Sequence, residues 1–272
     1  MRSIMRVPFI KMHGLGNDFI MLDARVDAVP SIDKQIASAL ADRNTGIGCD
    51  QLILLEKSQL ADFKMRIYNS DGGEVEACGN ASRAVALLHG SAASVETNGG
   101  LITVTPTDNG ARVDMGVPSF DWQSIPLEYA MDTANLPLSW EELTNPIAVN
   151  VGNPHIIFFV DDSETIGLDR LGPLIENDPL FPEGINVNVA DVRNGAINLR
   201  VWERGVGLTK ACGTGACATA VAAIKGGLVT SPVKVHLPGG TLDIQWADGQ
   251  PIIMEGPATE SFRGTFEWDD FA

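Results

Sequence analysis

Cys78 and Cys212 stand 134 residues apart in two segments that repeat one another. The first reads FKMRIYNSDGGEVEACGN, from Phe63 to Asn80, and the second reads INLRVWERGVGLTKACGT, from Ile197 to Thr214. In each, an arginine precedes an aromatic residue by two places (Arg66 and Tyr68, Arg200 and Trp202), and the cysteine of an Ala-Cys-Gly triplet follows ten places beyond the aromatic. The likeness extends upstream, where Gly16-Asn17 precedes FIMLD and Gly152-Asn153 precedes IIFFVDD at nearly the same offset. A doubled unit with one thiol per copy predicts a cleft with one sulfur on each wall. Two thiols opposed across a carbon atom define a chemistry. One, as thiolate, removes the α-proton of an amino acid, and the other, as thiol, returns a proton to the opposite face. Configuration inverts without redox change.

That chemistry needs a helix behind each sulfur. Asn80 to Leu88 and Thr214 to Ile224 are Ala-rich with few polar groups, the pattern of helices buried on nearly every side. Each domain is therefore expected to wrap strands around a central helix with the cysteine at its N-terminus. There, unpaired N–H groups and the positive end of the macrodipole favour thiolate, which should lower a thiol pKa from about 8.5. The same donors can hold a carboxylate, and Gly79 and Gly213 leave room for a ligand to approach the backbone. The alternative for either cysteine alone is a small core residue. Matching positions in both copies, each followed by Gly and a capping-type residue, favour catalysis. An amino-acid α-proton is far less acidic than a thiol, and each pKa unit of mismatch costs about 1.36 kcal/mol. Aimed donors in a dry site must offset that difference.

The rest of the chain supplies the frame. Strands are expected at Phe19–Leu22, Leu52–Leu55 and Lys64–Tyr68, with a hairpin-type turn at Asp71-Gly72-Gly73 and further hairpins over Thr103–Val117 and Val233–Trp246. Ser31 is expected to cap a helix carrying Ile32, Ile36 and Leu40. Trp122 to Ala148 reads as irregular, with a capping box at Ser139 and Glu142. The internal repeat divides the 272 residues into domains over 1–122 and 123–263, with 264–272 able to return to the first domain as a strand. The expected fold is α+β: two pseudo-symmetric domains, each a mainly antiparallel β-structure wrapped around a central helix.

Composition narrows the partners. With 19 Lys plus Arg against 35 Asp plus Glu, the formal charge is −16, which argues against nucleic acids and anionic membranes. No run reaches the roughly 18 apolar residues that span a bilayer, and no signal peptide is evident near the start. A cytoplasmic location with reduced thiols is the expectation. The four cysteines, 49, 78, 212 and 217, form no CxxC pair, and the histidines at 13, 89, 155 and 236 are scattered, so no metal is expected. No complete phosphate-loop pattern and no lysine in a Schiff-base setting are present, so no cofactor is expected.

At these residues the chain resembles diaminopimelate epimerase, the cofactor-independent amino-acid epimerase family. The resemblance covers KMHGLGNDFIMLD, DRNTGIGCDQLILLE, EACGNASRAVALL, VGNPH and WERGVGLTKACGTGACA, and so nearly the whole chain. Singly, GNPH is a weak signal and CGTGA a moderate one; their order and spacing are highly specific. The resemblance implies that Cys78 and Cys212 are the acid/base pair, tuned by His155 and Glu203. It places Gly79, Asn80, Gly213 and Thr214 around the reacting carboxylate. It assigns Asn17, Asn69, Asn153, Asn186, Glu203 and Arg204 to the substrate, lines the cleft with Gln51, and implies a homodimer. A symmetric diamino dicarboxylate has a remote amino-acid group, which the Arg204 fork suits; the alternatives are turn roles for each Asn, a structural His155 and a surface ion pair at Arg204. Ala81 stands where the family more often has Gly, Cys49 where it has Ala, and Leu208 and Lys210 also depart.

Rival functions share the two-thiol pattern. A proline or hydroxyproline racemase would use the same pair on a substrate without a remote group, which the Arg204, Asn69 and Asn186 set disfavours. A non-catalytic amino-acid binding protein would need neither cysteine. A redox sensor would join Cys78 to Cys212 in a disulfide.

Overall fold

The computed structural model describes residues 5–75 and 79–271, so the Cys78 thiol lies outside the described residues. The chain divides into two compact units, Met1–Val113 with Pro257–Ala272, and Asp114–Gly256. The sequence-based boundary at residue 122 falls inside the second unit. The backbone shows why: Met115 N–H donates to the Ile252 carbonyl and Ile252 N–H to that of Gly116, which ties this stretch into unit 2.

The first unit opens with strands β1 (Arg6–Gly14) and β2 (Asn17–Asp23), helix α1 (Lys34–Ala41), and strands β3 (Gln51–Glu56), β4 (Phe63–Asn69) and β5 (Glu74–Val75). Helix α2 (Gly79–His89) follows, then β6 (Ala93–Thr97), β7 (Gly100–Thr107) and β8 (Gly110–Asp114). The second runs β9 (Ser139–Trp140), β10 (Leu143–Thr144), β11 (Ile147–Asn150), β12 (Pro154–Phe159), α3 (Leu168–Glu176), β13 (Asn186–Arg193), β14 (Ala196–Glu203) and β15 (Gly207–Thr209). It ends with α4 (Gly213–Lys225), β16 (Val233–Leu237), β17 (Gly240–Gln245) and β18 (Ile253–Gly256). The chain then returns to unit 1 as β19 (Thr259–Glu267), antiparallel to β1.

The duplication holds strand for strand. In unit 1, β2 and β3 pair in parallel with Phe19 opposite Gln51, and in unit 2, β12 and β13 do so with His155 opposite Asn186. Antiparallel pairs β3/β4 and β13/β14 follow, and parallel pairs β4/β6 and β14/β16 register Phe63 on Val95 and Ile197 on Val235. One helix of each unit is interior: α2 packs on β1 and β7, and α4 on β11, β12, β13, β14, β16 and β17. Ala, Gly, Cys and Thr dominate α4, and ten of its residues are buried, because only small side chains let strands approach a helix from so many directions. The fold is thus a two-domain α+β arrangement with a strand-wrapped helix in each unit. Among the described residues no helix is long and apolar enough to cross a membrane.

Two local expectations are corrected. The cap of α1 is Asp33, whose carboxylate accepts from Ile36 N–H at 2.9 Å, rather than Ser31; this starts the helix where Ile36, Ala37, Leu40 and Ala41 turn inwards. Ser139 and Glu142 form no capping box but flank the turn of the β9/β10 hairpin, with Glu141 at φ 53°. That hairpin packs the Trp140 ring against Phe158 and Phe181, a burial that a helix cap does not outweigh.

Candidate active site

Each described candidate residue sits near an end of a strand of the repeat or at the start of an interior helix. In unit 2, Cys212 is the N-cap of α4 in extended conformation (φ −124°, ψ 110°), and its Sγ accepts from Gly215 N–H at 3.3 Å. Thr214 Oγ1 lies 3.5 Å from the same sulfur. A Cβ at Gly215 would stand 2.7 Å from Asn188 Oδ1, 3.1 Å from Val201 Cγ2 and 3.3 Å from Cys212 Sγ, so only Gly fits. Gly213 is buried beside it in the first turn.

The helix end does not make Cys212 a ready thiolate, contrary to the expectation from sequence. Burial pushes its thiol well above the ordinary value, and the negative charge of Glu203 adds to this. The Thr214 and Gly215 donors pull the other way but do not prevail. Cys212 as a residue is 3% exposed, and at that burial desolvation of an anion outweighs two weak donors. Glu203, at the end of β14, accepts from Thr209 Oγ1 at 2.5 Å.

Beside the sulfur runs a chain of neutral groups. Asn153 Nδ2 donates to Thr214 Oγ1 at 3.3 Å, and Asn153 Oδ1 lies 2.9 Å from His155 Nε2. His155 is fully buried, which drops its pKa to about 3, and the nearby Arg204 charge acts in the same direction; the Asn188 amide stands 3.0 Å from Nδ1. His155 is therefore neutral. Asn186 donates to the Pro154 carbonyl at 2.8 Å and accepts Arg204 N–H at 3.0 Å. The Arg204 guanidinium is exposed, with Nη1 on the Glu183 carbonyl at 3.0 Å.

In unit 1, Gly79 opens α2 and Asn80 in its first turn donates to Asn17 Oδ1 at 3.1 Å. Asn17, the first residue of β2, donates to Asp50 Oδ2 at 3.0 Å. Asp50 also takes Asp18 N–H and Arg43 Nη2, and Asp18 pairs with Arg43 and Lys11. Burial raises the Asp18 carboxyl, but the Arg43 and Lys11 hydrogen bonds and the Lys11 charge outweigh it and hold the acid well below the usual range. Gln51 donates to Asn69 Oδ1 at 3.0 Å across β3 and β4.

The structure thus gathers Asn153, His155, Thr214, Glu203 and Cys212 in one half, and pairs Asn17 with Asn80 and Gln51 with Asn69 in the other. Sequence reasoning passed over Asp50, which precedes Gln51 in DRNTGIGCDQ, and Asn188. The alternation Asn186-Val-Asn188-Val at the start of the strand puts both amides on one face and is the available signal. Arg66 and Arg200 have framework contacts: Arg66 grips Glu74 at 2.8 and 2.9 Å, and Arg200 donates to the Ser163 and Ile166 carbonyls. Cys49 and Cys217 are core residues, and burial pushes the Cys49 thiol up to about 12.

The fold defines a class. A phenazine biosynthesis protein of the PhzF family from Bacillus anthracis superposes with a TM-score of 0.70 at 13% identity, over 97% of this chain and 99% of the other. A hydroxyproline epimerase from Agrobacterium vitis does so at 0.67 and 15%, over 99% and 94%. Sequence then selects within that class. The diaminopimelate epimerase family model matches residues 9–120 and 147–260, one stretch for each half of the chain. A diaminopimelate epimerase of Erythrobacter litoralis is 67% identical over 269 residues, covering 98% of this chain and all of that protein. The chain belongs to the diaminopimelate epimerase family.

Proposed function

We propose that this isomerase interconverts LL- and meso-2,6-diaminopimelate by two-thiol proton transfer, with Cys78 and Cys212 as the acid/base pair. The observation that carries this reading is Cys212 at the N-cap of a buried helix, within hydrogen-bond reach of Gly215 and Thr214, in a segment that the chain repeats around Cys78. One sulfur takes the α-proton while the other gives a proton to the opposite face; the electron pair left on the α-carbon spreads into the carboxylate. The first turns of α2 and α4, with Gly79, Asn80, Gly213 and Thr214, would receive that carboxylate.

A raised thiol pKa fits the task. A thiol that resists ionisation yields a more basic thiolate, and each pKa unit narrows the gap to the α-carbon by about 1.36 kcal/mol. Glu203 and burial, which raise Cys212, therefore serve the reverse step as well as holding the proton in the forward one. Asn17, Gln51, Asn69, Asn153 and Asn186 would orient the substrate, and Arg204 would grip its remote carboxylate. The product would feed lysine and peptidoglycan precursor synthesis in the cytoplasm, and the active form would be a homodimer.

Arg204 tests the choice of substrate. Loss of a charge-assisted fork costs about 1.5–3 kcal/mol, so Arg204→Ala should lower kcat/KM for diaminopimelate by roughly ten- to a hundredfold. Racemisation of proline by the wild-type chain, with diaminopimelate left unchanged, would contradict the assignment.

A further inference from the structure

Asn188 lies on β13, fully buried, two residues along the strand from Asn186. Its Nδ2 faces three acceptor positions: His155 Nδ1 at 3.0 Å, the Ile156 carbonyl at 3.1 Å and the Asn186 carbonyl at 3.5 Å. Two backbone carbonyls cannot donate, so the amide nitrogen must point at them; turning the side chain over would set its oxygen against both. The remaining neighbour, His155 Nδ1, then has to accept, since a proton there would meet the Asn188 N–H groups head on. His155, being neutral, carries its proton on Nε2 and donates to Asn153 Oδ1 at 2.9 Å. With that oxygen engaged, Asn153 presents Nδ2 to Thr214 Oγ1 at 3.3 Å. Thr214 accepts there, which leaves its hydroxyl hydrogen for Cys212 Sγ at 3.5 Å.

The links as far as Thr214 each have one direction, and that direction runs towards sulfur. We propose that Asn188 is a positioning residue that fixes the Nε2–H tautomer of His155 and thereby turns the Thr214 hydroxyl into a donor to Cys212. The proposal rests on Cys212 being one of the acid/base thiols. It identifies a function for a strand residue that the family resemblance assigns neither to the substrate nor to the acid/base pair. It also explains why Asn188 Oδ1 is left without a hydrogen bond among the described residues, against Gly215: the carbonyls on its other side decide the orientation. In this arrangement His155 passes no proton of its own to Cys212, and its ring serves to relay direction.

The test uses the full chain labelled with ¹⁵N in histidine, with long-range ¹⁵N–¹H spectra and the His155 signals identified by their loss in His155→Gln. Wild-type His155 is expected as the Nε2–H tautomer at neutral pH. Asn188→Ala should lose that single tautomer and lower kcat about tenfold, the scale on which supporting hydrogen bonds act on the groups they orient, with a smaller change in KM. Should that variant fold poorly, the Thr214 pair decides: Thr214→Ser keeps the hydroxyl and most of kcat, while Thr214→Val loses about tenfold. Wild-type His155 protonated on Nδ1, or Thr214→Val with wild-type kcat, would overturn the proposal. Activity retained by Cys212→Ala would instead remove the reading beneath it and leave the tautomer result standing.

Discussion

The two halves of the chain pair their strands in the same order, yet they orient the corresponding asparagines by opposite means. In unit 2, Asn153 is held from below by His155 and Asn188, both buried and neutral. The register places Phe19 and Ile53 of unit 1 where His155 and Asn188 stand in unit 2, and both of these apolar residues are fully buried. Asn17 is held instead from the side, by Asp50 in a half-exposed network with Arg43, Asp18 and Lys11. A duplicated scaffold thus preserves backbone geometry while leaving the polar support free to diverge. The neutral support is shielded from salt, whereas the ionic one is open to screening.

The helix starts differ too, and there the contrast breaks most sharply. Gly215 and Ala81 occupy the same place in the two copies, but a methyl group fits only in unit 1. Gly215→Ala should cost about 1–3 kcal/mol by overpacking against Asn188, Val201 and Cys212, read from urea midpoints. The reciprocal Ala81→Gly should cost about 1 kcal/mol or less, the helix-propensity difference. Equal costs would mean that the two helix starts are not distinct.

Acid should separate the halves next. The folded His155 pKa, about 3, lies below the unfolded value of about 6.5, so between these values the unfolded chain binds the extra proton. Stability is full above pH 6.5 and falls with pH at up to about 1.4 kcal/mol per unit towards pH 3. Asp18 is likewise depressed, and its contribution is lost only as pH falls below the ordinary carboxylate range. Hydrogen exchange at pH 5 should therefore show β12 and β13 losing protection before β2 and β3, and His155→Gln should flatten that dependence. Loss beginning in β2 and β3 would reverse the comparison. The smallest effect is expected at Arg43, whose side chain is 56% exposed. Arg43→Ala should cost less than about 1 kcal/mol and should matter less still in high salt, checked by denaturation at two ionic strengths.

What could be read in the sequence was what repeats. The Ala-Cys-Gly segments, the interior helices and the paired strands all carry local signatures, and the structure describes both helices within a residue or so of their expected ends. The features that escaped depend on partners distant along the chain. Ser31 and Asp33 are equally good caps in isolation, and only the inward turn of Ile36 and Leu40 selects Asp33. Ser139 and Glu142 have the spacing of a helix start, but the aromatic partners of Trp140 come from β12 and from Phe181. The Cys212 thiol departs from the expectation because local geometry announces the donors, whereas burial and Glu203 come from the assembled fold.

The most direct test follows LL-diaminopimelate in D₂O, with α-deuterium incorporation and the isomer ratio measured together for the wild-type chain, Cys78→Ala and Cys212→Ala. The two-thiol account predicts wild-type exchange with inversion and epimerisation reduced by about a hundredfold or more in each variant, the scale of a lost general acid or base. Epimerisation near the wild-type rate in either variant would contradict it.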